Sequence, residues 1–372
     1  MCAPKVLTQN DYHQPVDWYY IGMTEQPPSS HAQPPGQKDA NDLPRLIRHG
    51  DDLVSSEFLD RAQLHYFSCS DGERLRTAYW AHTETPARGT IMILAGFSEF
   101  IEKYYETARD LNDLGFAVFC FDWRGQGLST RAQADRRGWV QSYETMMQDV
   151  IELTGYCKEL AAPEPLFALA HSMGGNVLLR LLQHYEGLFT AAAVTSPMLG
   201  IMGMPTWLLG SITHTGSRVG MDERYAPGAK DNDPNGPHIP LCADAARIKV
   251  WRNYLRTEPL LITHGATWRW AREAATSMSL VNQPANIERI TTPLLIANAM
   301  QDSLVDPEPT KKFAAICKCA QSLELEDAQH EVLQEIDSIR DLFFEAFDKF
   351  ISQIQTETQG STSTPKASAT ER

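Results

Sequence analysis

Short apolar runs alternate with helical patterns along most of the chain. The runs have the length and bounds of buried strands, and the segments between them show the apolar spacing of amphipathic helices, as at 104–115 and 142–160. Repeated alternation of this kind predicts an α/β fold with a mostly parallel sheet covered by helices on both faces. The strand candidates are 90–95, 116–122, 165–170, 190–196, 293–299 and 322–326, and further helices are expected from Gly174, near 308–319 and over 331–354.

The alternation is interrupted at roughly 198–288. This stretch carries tryptophan-bearing motifs separated by turn-rich polar segments, and the strand pattern resumes only after it. An insertion between two core strands, on the side of the sheet where ligands bind, is interpreted as a cap or lid. We therefore predict a core formed by residues 51–197 and 289–355, with the cap at 198–288.

Both ends of the chain are expected to lie outside the core. Residues 24–44 are rich in Pro, Gln, Ser and Asp, which is typical of a linker. We predict an N-terminal arm over residues 1–50. The last residues lack apolar periodicity, and 356–372 are predicted to be a disordered tail.

Charge and composition limit the partners. The 372 residues carry a formal net charge of −14 and are 42% hydrophobic, which is ample material for a core. Nucleic-acid binding is excluded because it needs clustered Lys and Arg, and no cluster stands out. The same charge opposes binding to an anionic bilayer, so any transient contact with lipid aggregates or a membrane surface should be local and apolar.

Cysteine usage and hydropathy indicate the compartment. The seven cysteines are an odd number and their spacing fits neither a zinc site nor a CxxC motif, so free thiols in a reducing compartment are expected. The N-terminus lacks the apolar core of a signal peptide. The longest apolar run, 198–212, is too short for a membrane span and contains Pro205. The sequence predicts a soluble, cytoplasmic protein that can lie at the periphery of a membrane.

The sharpest chemical signal is a serine at a strand–helix break. The run 165–170 stops at His171 and Ser172, and a helical pattern follows. The sequence A-H-S-M-G fits the small-x-Ser-x-Gly nucleophile elbow, with Ala170 in place of the first glycine. Small residues are needed there because strand and helix backbones approach closely. The pattern predicts that Ser172 is a nucleophile; the alternative is an ordinary strand–helix turn.

A serine nucleophile needs a base, and the base needs an orienting acid. After this elbow the acid and the histidine should follow in that order, each beyond a later strand. Asp302 and His330 occupy such positions, with Asp306 as the competing acid. The segment at His330 is not H-E-x-x-H because residue 334 is Gln, so no metal is expected. His171 is expected to help position the elbow.

Acyl transfer also requires donors for an oxyanion. The elbow offers the backbone N–H of Met173 at a helix N-terminus. The loop after strand 90–95 offers a second donor, the N–H of Phe97, because Gly96 allows a tight turn there. The alternative for that loop is a plain strand-to-helix turn.

The segment 121–130, FDWRGQGLST, contains a G-x-G that is not a phosphate-binding loop. Neither G-x-x-G-K nor G-x-G-x-x-G is completed. Asp122 and Arg124 are expected to hold this loop together near the site. No cofactor is predicted.

Six motifs in order resemble the lysophospholipase and monoacylglycerol lipase branch of the serine α/β-hydrolases. They spread from about residue 90 to 335. The resemblance implies an α/β-hydrolase fold in which Ser172 is the nucleophile, His330 the general base and Asp302 the residue that orients it. The motifs are LAGFSEFIEKY, FDWRGQGLS, AHSMGGN, SPML, NAMQDSLVDP and QHEVLQE.

The resemblance implies hydrolysis of a small amphiphilic ester, a lysophospholipid or a monoacylglycerol. The Met- and Leu-rich run 198–212 suits a lid that adapts to acyl chains, or it packs the cap on the core. Two alternatives remain. A serine aminopeptidase or short-chain carboxylesterase is one, and the cap carboxylates Asp222, Glu223 and Glu258 could bind a peptide ammonium. A non-catalytic binding module of the same fold is the other.

Overall fold

The structure is a computed structural model that describes residues 44–50, 53–83, 86–237 and 241–362. Most of the predicted N-terminal arm, residues 1–50, lies outside the described residues. So do residues 363–372 of the predicted tail.

One sheet organises the described residues. Its strands are β1 Gln63–Ser68, β2 Arg74–Trp80, β3 Thr90–Leu94, β4 Ala117–Phe121, β5 Leu166–His171, β6 Ala191–Thr195, β7 Leu294–Ala299 and β8 Ala320–Leu325. Their order is β1-β2-β4-β3-β5-β6-β7-β8, and only the pairings of β2 are antiparallel. Every residue of β3 to β7 is buried, as expected for parallel strands covered on both faces. The predicted fold class is confirmed.

Helices connect the strands in chain order. They are α1 Ser56–Asp60, α2 Tyr105–Asp113, α3 Tyr143–Glu159, α4 Ser172–Leu182, α5 Thr206–Arg218, α6 Ala245–Thr257, α7 Trp268–Val281, α8 Pro284–Ile287, α9 Pro307–Ile316 and α10 Asp337–Thr362. Short 3-10 turns lie at Ile101–Tyr104, Pro259–Leu261 and Val332–Gln334. None of the described helices is both long and apolar enough to cross a bilayer.

The bounds of the closing helix differ from the prediction at both ends. The sequence predicts a helix over 331–354, but α10 begins at Asp337, after a separate 3-10 turn at Val332–Gln334. It also extends to Thr362, so the expected start of the tail at 356 is wrong. Buried Phe350 and Ile354 anchor the last turns of the helix on the core. Gln and Glu are good helix formers, which lets the helix continue beyond its last buried residue.

Strands β1 and β2 have no counterpart in the predicted elements. Their sequences, QLHYFS and RLRTAYW, mix polar and apolar residues and contain no uninterrupted apolar run like those of the predicted strands. β2 nevertheless buries Arg76, whose guanidinium forms 2.7 Å ion pairs with Glu102 and Asp122. A buried charge needs such partners, and they come from distant parts of the chain. A hydrophobic pattern alone cannot reveal this strand.

The segment 198–288 contains α5 to α8 and lies between β6 and β7. Helices α5 and α7 pack so closely that a Cβ on Gly216 would lie 2.3 Å from the ring of Trp268. On its other side α7 contacts α4, where Ser277 Oγ donates a hydrogen bond to Asn176 Oδ1. The inserted segment therefore rests on the helix that starts at Ser172.

Candidate active site

Ser172 lies at the break between β5 and α4, as the elbow pattern predicts. Its φ is +50°, a left-handed conformation that non-glycine residues rarely adopt. Gly174 permits the close approach of strand and helix, because a Cβ there would lie 2.3 Å from the carbonyl oxygen of Leu94. Such strain persists only where the surrounding structure enforces it. The turn presents the Ser172 hydroxyl at the carboxyl end of the sheet.

The structure brings Ser172, His330 and Asp302 together. His330 Nε2 lies 3.0 Å from Ser172 Oγ, and His330 Nδ1 lies 2.6 Å from Asp302 Oδ2. All three side chains are buried. The competing acid, Asp306, instead caps α9, where its carboxylate accepts from Glu308 N at 3.0 Å. The geometry therefore favours Asp302 over Asp306.

Both partners of the serine are held by neighbouring loop residues. The second oxygen of Asp302 accepts hydrogen bonds from Leu304 N at 2.7 Å and Val305 N at 2.9 Å. The backbone carbonyl of His330 accepts one from Ser196 Oγ at 2.8 Å. These contacts orient the carboxylate and the imidazole before any substrate arrives.

The backbone N–H groups on either side of one expected oxyanion donor, Phe97, are already engaged. Gly96 N donates to the Glu99 carboxylate, and Ser98 N donates to Gln126 Oε1 at 2.5 Å. Within the described part of the chain, no hydrogen bond is made by the N–H of Phe97 between them, nor by the N–H of Met173. Both groups are therefore available to an incoming oxygen.

The Phe97 side chain packs under the inserted segment. Its ring centroid lies 4.3 Å from that of Trp270 on α7. A Cβ on Gly138 would lie 2.3 Å from the tip of the Phe97 ring, so a larger residue there would displace the ring. The loop that carries Phe97 is thus in contact with helix α7.

His171 supports the elbow and does not face the serine hydroxyl as its base. Its Nδ1 lies 3.0 Å from Thr195 Oγ1, and its ring centroid lies 4.8 Å from that of His330. Burial lowers the pKa of His171 to about 3, despite the opposing influence of the Glu99 carboxylate. The ring is therefore neutral at physiological pH and adds no charge beside His330.

A buried ionic cluster beside the site is absent from the sequence predictions. Lys103 Nζ lies 2.6 Å from Glu99 Oε1 and 2.7 Å from Glu331 Oε1. Burial by itself would raise the pKa of Glu99, but the Lys103 ammonium, the His171 ring and the Tyr104 hydroxyl together outweigh it, and the pKa falls to about 2. The cluster links the Phe97 loop to the residue after His330. In the sequence, only the four-residue spacing of Glu99 and Lys103 indicates an ion pair here.

The loop 121–130 is built as a turn. Asp122 accepts hydrogen bonds from Leu128 N at 2.8 Å and Ile101 N at 2.9 Å, and Arg124 pairs with Asp149. A Cβ on Gly127 would overlap the Asp122 carboxylate. The glycines of the G-x-G therefore serve the turn itself.

The acidic residues considered for ammonium binding have other contacts or lie on the surface. Asp222 lies 3.6 Å from both Arg269 and Arg272, and Glu258 pairs with Arg45. Glu223 is exposed. Among the described residues, no group of three or more His, Cys, Asp or Glu side chains could hold a metal ion.

Residues 85–337 match the family described as serine aminopeptidase, S33. The chain belongs to this family. A probable lysophospholipase L2 from Haemophilus influenzae is 26% identical over 296 residues, which cover 79% of this chain and 94% of that protein. The human monoglyceride lipase is 24% identical over 303 residues, which cover 80% of this chain and 92% of that protein. The resemblance drawn from the motifs is confirmed.

A solved structure agrees with the fold. A soluble variant of the monoglyceride lipase from Saccharomyces cerevisiae, crystallised with a substrate analog, superimposes with a TM-score of 0.62. The two chains are 18% identical, and the match covers 79% of this chain and 96% of that chain. The central sheet and its helices therefore form an α/β-hydrolase fold.

Proposed function

We propose that this protein hydrolyses carboxylic esters of lipids, most directly lysophospholipids or monoacylglycerols, through an acyl-enzyme on Ser172. The observation that carries the proposal is the hydrogen-bonded series Ser172–His330–Asp302, with heavy-atom distances of 3.0 and 2.6 Å. A serine with a base in contact, and an acid that orients the base, is the arrangement required for nucleophilic acyl transfer.

Acylation begins when Ser172 Oγ attacks the ester carbonyl carbon and passes its proton to His330 Nε2. The carbonyl oxygen becomes an oxyanion that accepts hydrogen bonds from the N–H groups of Phe97 and Met173. Asp302, 2.6 Å from His330 Nδ1, stabilises the imidazolium that forms. When the carbonyl re-forms, the ester C–O bond breaks and the departing alcohol takes the proton from His330.

Deacylation repeats the chemistry with water as the nucleophile. His330 removes a proton from a water molecule, and the resulting hydroxide attacks the acyl carbon. The same two backbone N–H groups bind the second oxyanion. Release of the fatty acid returns the proton to Ser172 and regenerates the enzyme.

The choice of a lipid ester follows from the relatives and from the inserted segment. The relatives reported above are named for lysophospholipids and monoglycerides. An acyl chain gains up to about 0.8 kcal/mol for each CH₂ that leaves water, so an apolar site suits it. Two of the three acidic residues suggested for a peptidase already face arginines. These features favour an ester over an aminoacyl substrate.

Contact with lipid aggregates belongs to the same proposal. Three large apolar side chains are exposed where the inserted segment begins and where the Asp302 loop ends, namely Met202, Trp207 and Leu304. Met202 N donates to Leu304 O at 3.0 Å, so two of them lie on adjoining backbone segments. Trp207, in the first turn of α5, is 72% exposed. We call these three residues the apolar patch, and we propose that it touches the lipid surface.

The test is turnover of a matched substrate panel by the wild type and by Ser172→Ala. The panel contains lysophosphatidylcholine, a long-chain monoacylglycerol, a short p-nitrophenyl ester and an aminoacyl anilide. Long-chain ester turnover should fall by about 10³-fold or more in the alanine variant.

Two results would contradict the proposal. Turnover of the anilide alone would assign the protein to the peptidases. A wild type that neither turns over an ester nor reacts with a fluorophosphonate probe would be a binding module.

A further inference from the structure

The loop 121–130, which the proposed mechanism does not use, holds the loop that carries Phe97. Trp123 Nε1 donates to the carbonyl oxygen of Ala95 at 2.8 Å. Asp122 Oδ1 accepts from Ile101 N at 2.9 Å. The loop that carries Phe97 is thus fixed at both of its ends, Ala95 and Ile101, by one neighbouring turn.

Between these two ends, the loop is contacted by the side chain of Gln126. Its side chain is buried, with 4% exposure, between the Phe97 loop and the start of α4. Gln126 Oε1 accepts from Ser98 N at 2.5 Å, and its Nε2 contacts Met173 Sδ at 3.9 Å. One amide therefore touches the residue after Phe97 and also Met173, which supplies the second donor.

The contact fixes a strained residue. Ser98 has a φ of +64°, which a non-glycine residue keeps only under constraint. Ser98 Oγ donates to Thr263 O at 2.9 Å, and on the other side Glu99 accepts from Gly96 N. The peptide that carries the Phe97 N–H thus lies between two peptides whose N–H groups are both held by buried side chains.

We propose that Gln126 is a positioning residue for the oxyanion hole, acting through Ser98 and Met173; this inference rests on the proposed esterase function. A neutral amide suits the place. It supplies an acceptor for Ser98 N without placing a negative charge beside an oxygen that becomes negative in the transition state. Gln126 itself does not touch the substrate.

The experiment compares Gln126→Leu and Gln126→Met with the wild type. Methionine keeps the length and unbranched shape of glutamine, so it tests the contact even if leucine impairs folding. Gln183→Leu is the matched control, because Gln183 is also 4% exposed and its side-chain amide also bonds to the backbone, donating from Nε2 to the carbonyl oxygen of Val281. The kinetic constants kcat and KM are measured on a short p-nitrophenyl ester, per active site titrated to completion with a fluorophosphonate. The inhibition constant of a trifluoromethyl ketone, which forms an oxyanion adduct with a serine, is measured in parallel.

The inference predicts that kcat per active site falls by about 10- to 100-fold in both Gln126 variants, since a small misplacement of a preorganised donor has that effect. KM should stay within about threefold. The inhibition constant of the ketone should rise by the same factor as kcat/KM falls, while Gln183→Leu keeps wild-type constants.

The inference would be overturned if the Gln126 variants kept full kcat per active site. It would also be overturned if Gln183→Leu lost the same activity and a lower Tm explained both losses. A wild type without Ser172-dependent hydrolysis would contradict the proposed function itself. That failure is visible before any Gln126 variant is compared.

Discussion

Three serines around the proposed site have positive φ values, +50° at Ser172, +64° at Ser98 and +43° at Ser196. Each has a distinct place: Ser172 carries the hydroxyl beside His330, Ser98 follows Phe97, and Ser196 Oγ holds the backbone of His330. Backbone conformations of this kind cost about 1–3 kcal/mol each. The surrounding contacts must offset that cost at each of these three positions of the proposed site.

At the same scale, His171 should make the protein acid-sensitive. Burial lowers its pKa to about 3, well below the ~6.5 of an unfolded histidine. Below pH 6.5 the unfolded state therefore binds more protons, and the free energy of unfolding falls as the pH drops toward 3. Between pH 7 and pH 5 this single group should remove about 2 kcal/mol. Denaturant titrations of wild type and His171→Asn at both pH values measure it.

His171→Asn should lose less stability on acidification than the wild type by that amount. His214→Asn, at an exposed histidine on α5, serves as the control and should keep the wild-type pH dependence. An identical pH dependence for His171→Asn and wild type would contradict the assignment.

The order of strands and helices could be predicted wherever a buried strand is written as an uninterrupted apolar run. Strand β5 and the helix after it follow from an uninterrupted apolar run that ends at small residues, and Asp302 and His330 follow from their places after β7 and β8. Strand β2 could not be predicted, because its buried Arg76 depends on partners distant in sequence.

The same limit applies to the contacts inside the site. Gln126 and the Glu99–Lys103–Glu331 cluster connect loops that only the fold brings together. The end of α10 was misjudged for a local reason, since its last turns are polar and yet remain helical. Hydrophobic periodicity shows which face of a helix is buried. It gives no signal for a helical segment that has no buried face.

At the scale of the whole molecule, the net charge of −14 and the apolar patch both bear on the proposed contact with lipid. The charge repels anionic surfaces, so the patch should favour zwitterionic lipid. Trp207→Ser should lower binding to phosphatidylcholine vesicles about tenfold, the equivalent of about 1.4 kcal/mol of lost apolar burial. Vesicle co-sedimentation measures it, and turnover of a water-soluble short ester should not change.

Leu342→Ser is the control for the patch. Leu342 is 55% exposed on α10 and is not one of the three patch residues. Equal vesicle binding by Trp207→Ser, Leu342→Ser and wild type would contradict a role for the patch.

The most direct test of the central claim is to locate the covalent adduct on the protein. Wild type is treated with a fluorophosphonate, digested, and analysed by tandem mass spectrometry. We expect a single adduct on Ser172, with a labelling rate at least about 10³-fold lower in His330→Ala because the serine then lacks its base. An adduct on another residue, or labelling of Ser172 that is unaffected by the loss of His330, would contradict it.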